Sequence, residues 1–186
     1  LEPKDYGELL VYLLDQALEQ IDKIEIMNIN DLCRGVFTRR GSGCTYVDGM
    51  GSTFAIGPDG SIYPCYRFVG MPEYVMGHVR DRPSVEDLMQ SPAGQLMTRY
   101  KEFVDEACRQ CGHIRYCRGG CPYNAITPAE GKITGVDPHC IAYKRIFEEI
   151  SNRLNEEMAG RSFLEMGPMG QRPGSSKPGI MALMHT

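Results

Sequence analysis

The sequence has 186 residues, of which 42% are hydrophobic and 24% are charged, and its formal net charge is -4. These values are typical of one globular domain with short extensions. The acidic balance argues against nucleic-acid binding, which usually needs a basic face. No secretory signal is visible, and the longest apolar run, from Leu9 to Leu14, is far shorter than the ~20 residues of a membrane span. We therefore expect neither a nucleic-acid partner nor membrane association.

The first part of the chain predicts a helix followed by irregular structure. Apolar residues at helical spacing predict an amphipathic helix over 5–21, with Asp5 and Glu8 arranged like a capping box at its start. Residues 24–26 alternate between apolar and charged side chains, which predicts a short strand. Glycines and arginines dominate residues 28–52, and we predict a loop there.

The middle of the chain gives the clearest β signal. Apolar residues within 53–63 flank the sequence Gly57-Pro-Asp-Gly60, in which proline and the final glycine suit a tight turn, so a β-hairpin is predicted. Helix-start patterns follow at Ser84, which has an aspartate three residues later, and at Ser91, which precedes a proline. The second of these helices should lead the chain to Cys108.

A last helix is predicted over 141–158, where the helical period of apolar residues returns. The following residues, 159–186, are rich in glycine, proline and methionine and are interpreted as a flexible tail. The expected fold class is α+β. We divide the chain into a connecting helix and short strand over 1–32, a small irregular domain over 33–158 with a β-hairpin, a cysteine-rich loop and flanking helices, and the tail.

Cysteine is the unusual feature of the composition. The chain has eight cysteines, at positions Cys33, Cys44, Cys65, Cys108, Cys111, Cys117, Cys121 and Cys140. Without a secretory signal, metal or redox chemistry is favoured over disulfides. The late cysteines follow the spacing C-x2-C-x5-C-x3-C-x18-C, and an early pair flanks the predicted hairpin. Four thiolates can hold either a zinc ion or an iron–sulfur cluster, and the spacing alone leaves both open.

The cysteine spacing and the sequence around it resemble the SPASM domain of radical S-adenosylmethionine maturases. The similar segments are Gly57-Pro-Asp-Gly-Ser-Ile-Tyr-Pro-Cys65, Tyr74-Val-Met-Gly-His-Val79 and Cys117-Arg-Gly-Gly-Cys121, and the resemblance covers about residues 40–150. It implies two auxiliary [4Fe-4S] clusters, carried beside a partial TIM barrel that binds S-adenosylmethionine. Ribosomal-peptide maturases and anaerobic sulfatase-maturating enzymes belong to this group. Such clusters imply a reducing, oxygen-poor cytoplasm.

The resemblance also implies a ligand set. Cys44, Cys65 and Cys121 would hold three irons of the first auxiliary cluster, and the second would be held by Cys108, Cys111, Cys117 and Cys140. The fourth ligand of the first cluster stays open between Cys33, Asp48 and a position left free for another donor. If ligand convergence drives folding, the chain without iron should be largely unfolded.

Several other residues near the cysteines are candidates for supporting roles. Arginines could offset the negative charge of a cluster, and glycines could allow backbone N–H groups to approach its sulfides. We give the nearby histidines ordinary polar roles. The arginines are Arg67, Arg109, Arg115 and Arg118, the glycines are Gly112, Gly119 and Gly120, and the histidines are His113 and His139.

The chain lacks the C-x3-C-x2-C motif that binds S-adenosylmethionine in this group, because Asn124 stands where the third cysteine would follow Cys121. We therefore expect it to be inactive alone and to work with a barrel that is either a missing N-terminal part or a partner chain. The first hypothesis is a peptide maturase that forms thioether or carbon–carbon cross-links. The segment 63–70 resembles that branch of the group more than the sulfatase-maturating branch. Its partners would be a substrate peptide or protein and an electron donor such as ferredoxin or flavodoxin.

Three alternatives remain open at this point. The first is sulfatase maturation, which forms formylglycine by related chemistry. The second is a standalone two-cluster module for electron transfer or peptide binding. The third is an interaction domain stabilised by zinc. Iron content separates the zinc hypothesis from the others.

Overall fold

A computed structural model describes residues 1–41, 43–46, 53–165 and 179–184. None of the helices in this described part is both long enough and apolar enough to cross a membrane. The chain divides into two compact units, the first from residues 1–47, 112–118 and 139–186 and the second from residues 48–111 and 119–138. The helices are α1 (Pro3–Glu19), α2 (Met27–Thr38), α3 (Val85–Gln90), α4 (Pro92–Ala107), α5 (Ile114–Cys117), α6 (Pro122–Ile126) and α7 (Cys140–Glu165).

Helix α1 confirms the first predicted helix, although it starts two residues earlier. Pro3 lies in its first turn, where a missing N–H is harmless, and Glu2 precedes it without a side-chain cap. The predicted capping box at Asp5 and Glu8 is therefore wrong, because both residues already lie inside the helix. Leu10, Leu14 and Ala17 form its buried face.

Helix α2 corrects two predictions. Residues 24–26 form no strand, and the first half of the predicted loop is helical. Ile29, Leu32 and Cys33 are buried on one face of α2, at the spacing that a helix requires. In the sequence, this short helical pattern lies between the alternating residues 24–26 and a glycine-rich stretch, which is why it was not recognised. The helix ends at Thr38, and the next residue, Arg39, has a left-handed φ of 53°.

Helix α7 packs along α1 and completes the core of the first unit. It confirms the predicted helix over 141–158 and extends it to Glu165. Of the predicted tail, residues 180–184 form a short turn of 3-10 helix that buries Ile180 and Leu183 in the same core. Residues 166–178 and 185–186 lie outside the described part of the chain, so the flexibility of the tail stays a prediction.

The second unit contains a three-stranded antiparallel sheet in the order β1 (Ala55–Ile56), β2 (Ser61–Tyr63) and β3 (Gly77–His78). The predicted hairpin is confirmed: the Gly60 N–H donates to the Gly57 carbonyl at 2.9 Å, and Gly60 has a φ of 89° that favours glycine. Strand β3 was not predicted, because two residues give no alternation to detect.

Both predicted helix starts in the second unit are confirmed. Ser84 and Asp87 form a reciprocal capping box at the start of α3. The Ser91 hydroxyl accepts the Gly94 N–H at 3.1 Å at the start of α4. Met97, Tyr100 and Val104 are the buried residues of the central and later turns of α4. The long helices and the small sheet confirm the α+β class.

Candidate metal centre

Cys33 lies in the apolar core of the first unit. Its relative exposure is 0%, and Leu14, Ile29 and Phe147 belong to the same buried cluster. Burial raises the pKa of the Cys33 thiol to about 12, although the positive charge of Arg153 acts in the opposite direction. At neutral pH this residue is a neutral thiol that packs as a small hydrophobic side chain.

The other three cysteines of the first unit lie at the ends of elements. Cys44 begins the short 3-10 turn Cys44–Tyr46 and is exposed, and this turn contacts α5, which ends at Cys117. Cys140 is the first residue of α7 and is partly exposed. The side chains of these three cysteines are therefore at least partly accessible, whereas that of Cys33 is buried.

The two histidines near these cysteines have structural partners. His113 lies 2.7 Å from the Tyr116 hydroxyl through Nδ1 and stacks at a tilt on Phe147, with 5.7 Å between ring centroids. Burial lowers its pKa, and Glu148 partly opposes this shift. His139 makes an edge contact with Tyr6 at 5.4 Å. These contacts agree with the ordinary roles expected for both rings.

In the second unit, three cysteines lie at turns. Helix α4 ends where Cys108 begins a tight turn, in which the Cys111 N–H donates to the Cys108 carbonyl at 2.8 Å. Cys65 follows β2, and its carbonyl accepts the Phe68 N–H at 3.1 Å. All three cysteines are partly exposed.

Cys121 has a cation and an amide side chain beside it. The Arg67 guanidinium donates to the Cys121 sulfur at 3.4 Å and to the side-chain oxygen of Asn124 at 2.8 Å. The same guanidinium lies 4.0 Å from the centroid of the Tyr123 ring, within cation–π distance. Of the candidate arginines, Arg67 thus contacts a cysteine sulfur directly, and Arg109 pairs with Glu106.

A buried carboxylate fixes the backbone at this cysteine. Asp137 is 0% exposed, and its Oδ2 accepts the Cys121 N–H and the Asn124 side-chain N–H, both at 2.8 Å. Gly120 has a φ of 82°, and a Cβ there would lie 2.4 Å from the Asp137 Cβ. Only glycine therefore allows the chain to pass this close to Asp137. Burial of Tyr100 and the nearby Asp137 charge also raise the pKa of Tyr100.

Asn124 and Asp137 were missed at the level of sequence. A weak signal existed, because each lies three residues from a cysteine, Asn124 after Cys121 and Asp137 before Cys140. However, burial decides the role of a carboxylate, and the surrounding loop has no hydrophobic period from which burial could be read.

The donor set fits an iron–sulfur site in its chemistry. Seven of the eight cysteines are at least partly exposed. Within the described residues, no three cysteine, histidine or acidic side chains are grouped closely enough to hold a metal ion. Asp48, the other suggested ligand, lies outside the described residues. The exposure of the seven thiols and the cation beside Cys121 are the features that suit thiolate ligands.

Comparisons with known proteins confirm the resemblance. The family model described as SPASM, an iron–sulfur cluster-binding domain, matches residues 44–112. A cysteine-type anaerobic sulfatase-maturating enzyme of Clostridium perfringens is 27% identical over 161 residues, which are 83% of this chain and 42% of that enzyme. A serine-type anaerobic sulfatase-maturating enzyme of Bacteroides thetaiotaomicron is 22% identical over 152 residues, covering 81% of this chain and 36% of the enzyme.

Solved structures agree with these relatives. A structure of histidine-tagged anSMEcpe with bound AdoMet has a TM-score of 0.68 and 25% identity, covering 86% of this chain and 42% of the other. A structure of native anSMEcpe with bound AdoMet and a Cp18Cys peptide gives a TM-score of 0.67 at 25% identity, covering 87% and 45% of the two chains. This chain thus spans less than half the length of these relatives.

Proposed function

We propose that this chain, which carries a SPASM domain over residues 44–112, is the auxiliary-cluster part of a radical S-adenosylmethionine enzyme that modifies a peptide or protein. The observation that carries the proposal is the contrast among the cysteines. One is enclosed in the apolar core, and the other seven are accessible at turns and helix ends. These seven are the ones that the resemblance to the SPASM domain implies as ligands.

In this proposal, the chain holds two [4Fe-4S] clusters, which would supply electron transfer or substrate binding. Cys44, Cys65 and Cys121 hold the first cluster. The second is held by four cysteines, namely Cys108, Cys111, Cys117 and Cys140. The turns and helix ends described above present these sulfurs, and the Arg67 guanidinium supplies a positive charge beside one of them.

The burial of Cys33 supports excluding it from the first cluster. A ligand sulfur must be able to reach the cluster, whereas Cys33 is 0% exposed and belongs to the apolar core of the first unit. Moving it to a cluster would also expose the core around α2. We propose that the fourth position belongs either to Asp48 or to a donor from outside the chain.

Two reactions are candidates for the complete enzyme. The segment 63–70 resembles the maturases that form thioether or carbon–carbon cross-links, whereas the relatives named above are anaerobic sulfatase-maturating enzymes. We propose that both draw on a barrel, a peptide or protein substrate and an electron donor such as ferredoxin or flavodoxin, in the cytoplasm. An aldehyde in the product, trapped with a hydrazine, would identify formylglycine, and its absence from a modified peptide would favour a cross-link.

Iron and sulfide analysis after anaerobic reconstitution tests the cluster proposal. We expect about eight iron and eight sulfide per chain with little zinc. The matched variant Cys108→Ala/Cys111→Ala should retain about four iron, since it keeps the first cluster. About two zinc without sulfide would contradict the proposal and indicate a structural zinc domain.

A further inference from the structure

The Arg67 side chain is held in place by contacts on three sides. It follows Cys65 by two residues, in the 3-10 turn Tyr66–Phe68. Its Nη1 lies 3.4 Å from the Cys121 sulfur and 2.8 Å from the Asn124 oxygen, and its Cζ lies 4.0 Å from the Tyr123 ring centroid. Although Arg67 is exposed to solvent, these contacts restrict where its charge can be.

The partners of Arg67 are themselves fixed from the protein interior. Asn124 uses its oxygen to accept from Arg67 and its nitrogen to donate to Asp137, so its amide orientation is determined at both ends. Asp137 is fully buried and also accepts the Cys121 N–H. The contacts therefore connect a buried carboxylate, an amide and a guanidinium to the backbone and the sulfur of one cysteine.

We propose that Arg67 is a positioning residue that raises the reduction potential of the cluster bound by Cys121. This inference rests on the proposed function. A cation and an N–H donor at a ligand sulfur stabilise the form of the cluster that carries more negative charge, which is the reduced form. Asn124 and Asp137 act through Arg67 and Cys121, because they hold the donor and the sulfur at this separation.

The test is a redox titration of the reconstituted chain, monitored by EPR, with three variants. Arg67→Gln removes the charge but keeps a polar side chain, and Arg67→Lys keeps the charge but loses the planar donor arrangement. Arg99→Gln is the matched control, since it removes the same charge from an exposed position on α4. Because water screens the charge of an exposed side chain, we expect only a limited shift in the reduction potential.

We expect Arg67→Gln to lower the potential of one cluster only, by up to about tenfold in its reduction equilibrium, or ~59 mV for one electron. Arg67→Lys should give a smaller shift of the same sign, and Arg99→Gln should give none. If Arg67→Gln loses half of its iron, the test passes to Arg67→Lys, which should keep both clusters and show a lower potential for one of them. The inference is overturned by a shift equal to that of Arg99→Gln, or by equal shifts of both clusters. A wild-type chain without iron would overturn the proposed function itself.

Discussion

Cys33 and Cys121 differ in the side chains that surround their sulfur atoms. Cys33 belongs to a buried cluster of aliphatic and aromatic side chains, and Cys121 has a guanidinium 3.4 Å from its sulfur. If Cys33 is only a core residue, Cys33→Ala should keep the full iron content. It should lower the free energy of unfolding by about 1 kcal/mol, because the missing sulfur leaves a small cavity. Iron analysis and thermal unfolding of the reconstituted protein check both expectations.

A second substitution at the same position separates packing from ligation. Cys33→Ser places a hydroxyl in an apolar site and should destabilise the fold by about 1–3 kcal/mol if the hydroxyl finds no partner. Its iron content should still equal that of the wild type. If Cys33→Ala instead lost iron from one cluster, Cys33 would be a ligand and the core assignment would be wrong.

Gly120 is the residue whose substitution should disturb the Cys121 region most directly. A Cβ at Gly120 would lie 2.4 Å from the Asp137 Cβ, and the left-handed φ of 82° adds about 1–2 kcal/mol for an L side chain. We expect Gly120→Ala to lower iron retention and the temperature at which the cluster absorbance is lost. Gly135→Ala is the control, because nothing lies within 4 Å of a Cβ at Gly135. Equal behaviour of the two variants would contradict the close approach.

The residues around the candidate site were predictable to different degrees. The cysteines are visible in the sequence, and their assignment as ligands, which the resemblance implies, stays a prediction. Arg67 could be identified only as one of four arginines near the cysteines, and its partner Asn124 was not identified. Contacts such as that between Arg67 and Cys121 join residues 54 positions apart in the sequence, and no local pattern encodes such a separation.

At the scale of elements, the helix pair α1–α7 depends on a small residue at its crossing point. A Cβ at Gly7 would lie 3.1 Å from the Cα of Ala142. We expect Gly7→Val to separate the helices and destabilise the fold by about 1–3 kcal/mol. Gly7→Ala should change stability much less, because the tight contact is offset by a better helix propensity. Thermal unfolding of both variants tests this, and a tolerated valine would contradict the packing.

The elements that were predicted correctly carry their own local start or turn signals. Helix α4 has Ser91 before a proline, and the β1–β2 hairpin has its glycine–proline turn, so both form where the sequence indicates. Helix α2 has no such start signal, since Ile26 precedes it without a side-chain cap. Strand β3 exists only through its pairing with β2. Elements defined by tertiary packing alone are the ones that sequence patterns miss.

At the scale of the whole molecule, the two units differ in the regularity of their internal structure. The first contains helices of 17, 12 and 26 residues around one apolar cluster. The second has one helix of 16 residues, and its strands are two or three residues long. Strands of globular proteins more often have about 5–6 residues, so such a sheet contributes few hydrogen bonds of its own.

This difference predicts that the two units respond differently to iron removal. Instead of a largely unfolded chain, we expect the second unit to lose its structure and the first to keep its apolar core. After chelation, amides of α1 and the middle of α7 should stay protected from hydrogen exchange, because apolar packing that needs no metal holds them. Amides of β1–β3 and of the turn between Cys108 and Cys111 should exchange much faster, because ligand binding stabilises such irregular segments. Mass spectrometry of the reconstituted and chelated chain measures both. Equal loss of protection in α1 and β2 would mean that metal binding and folding are coupled throughout the chain.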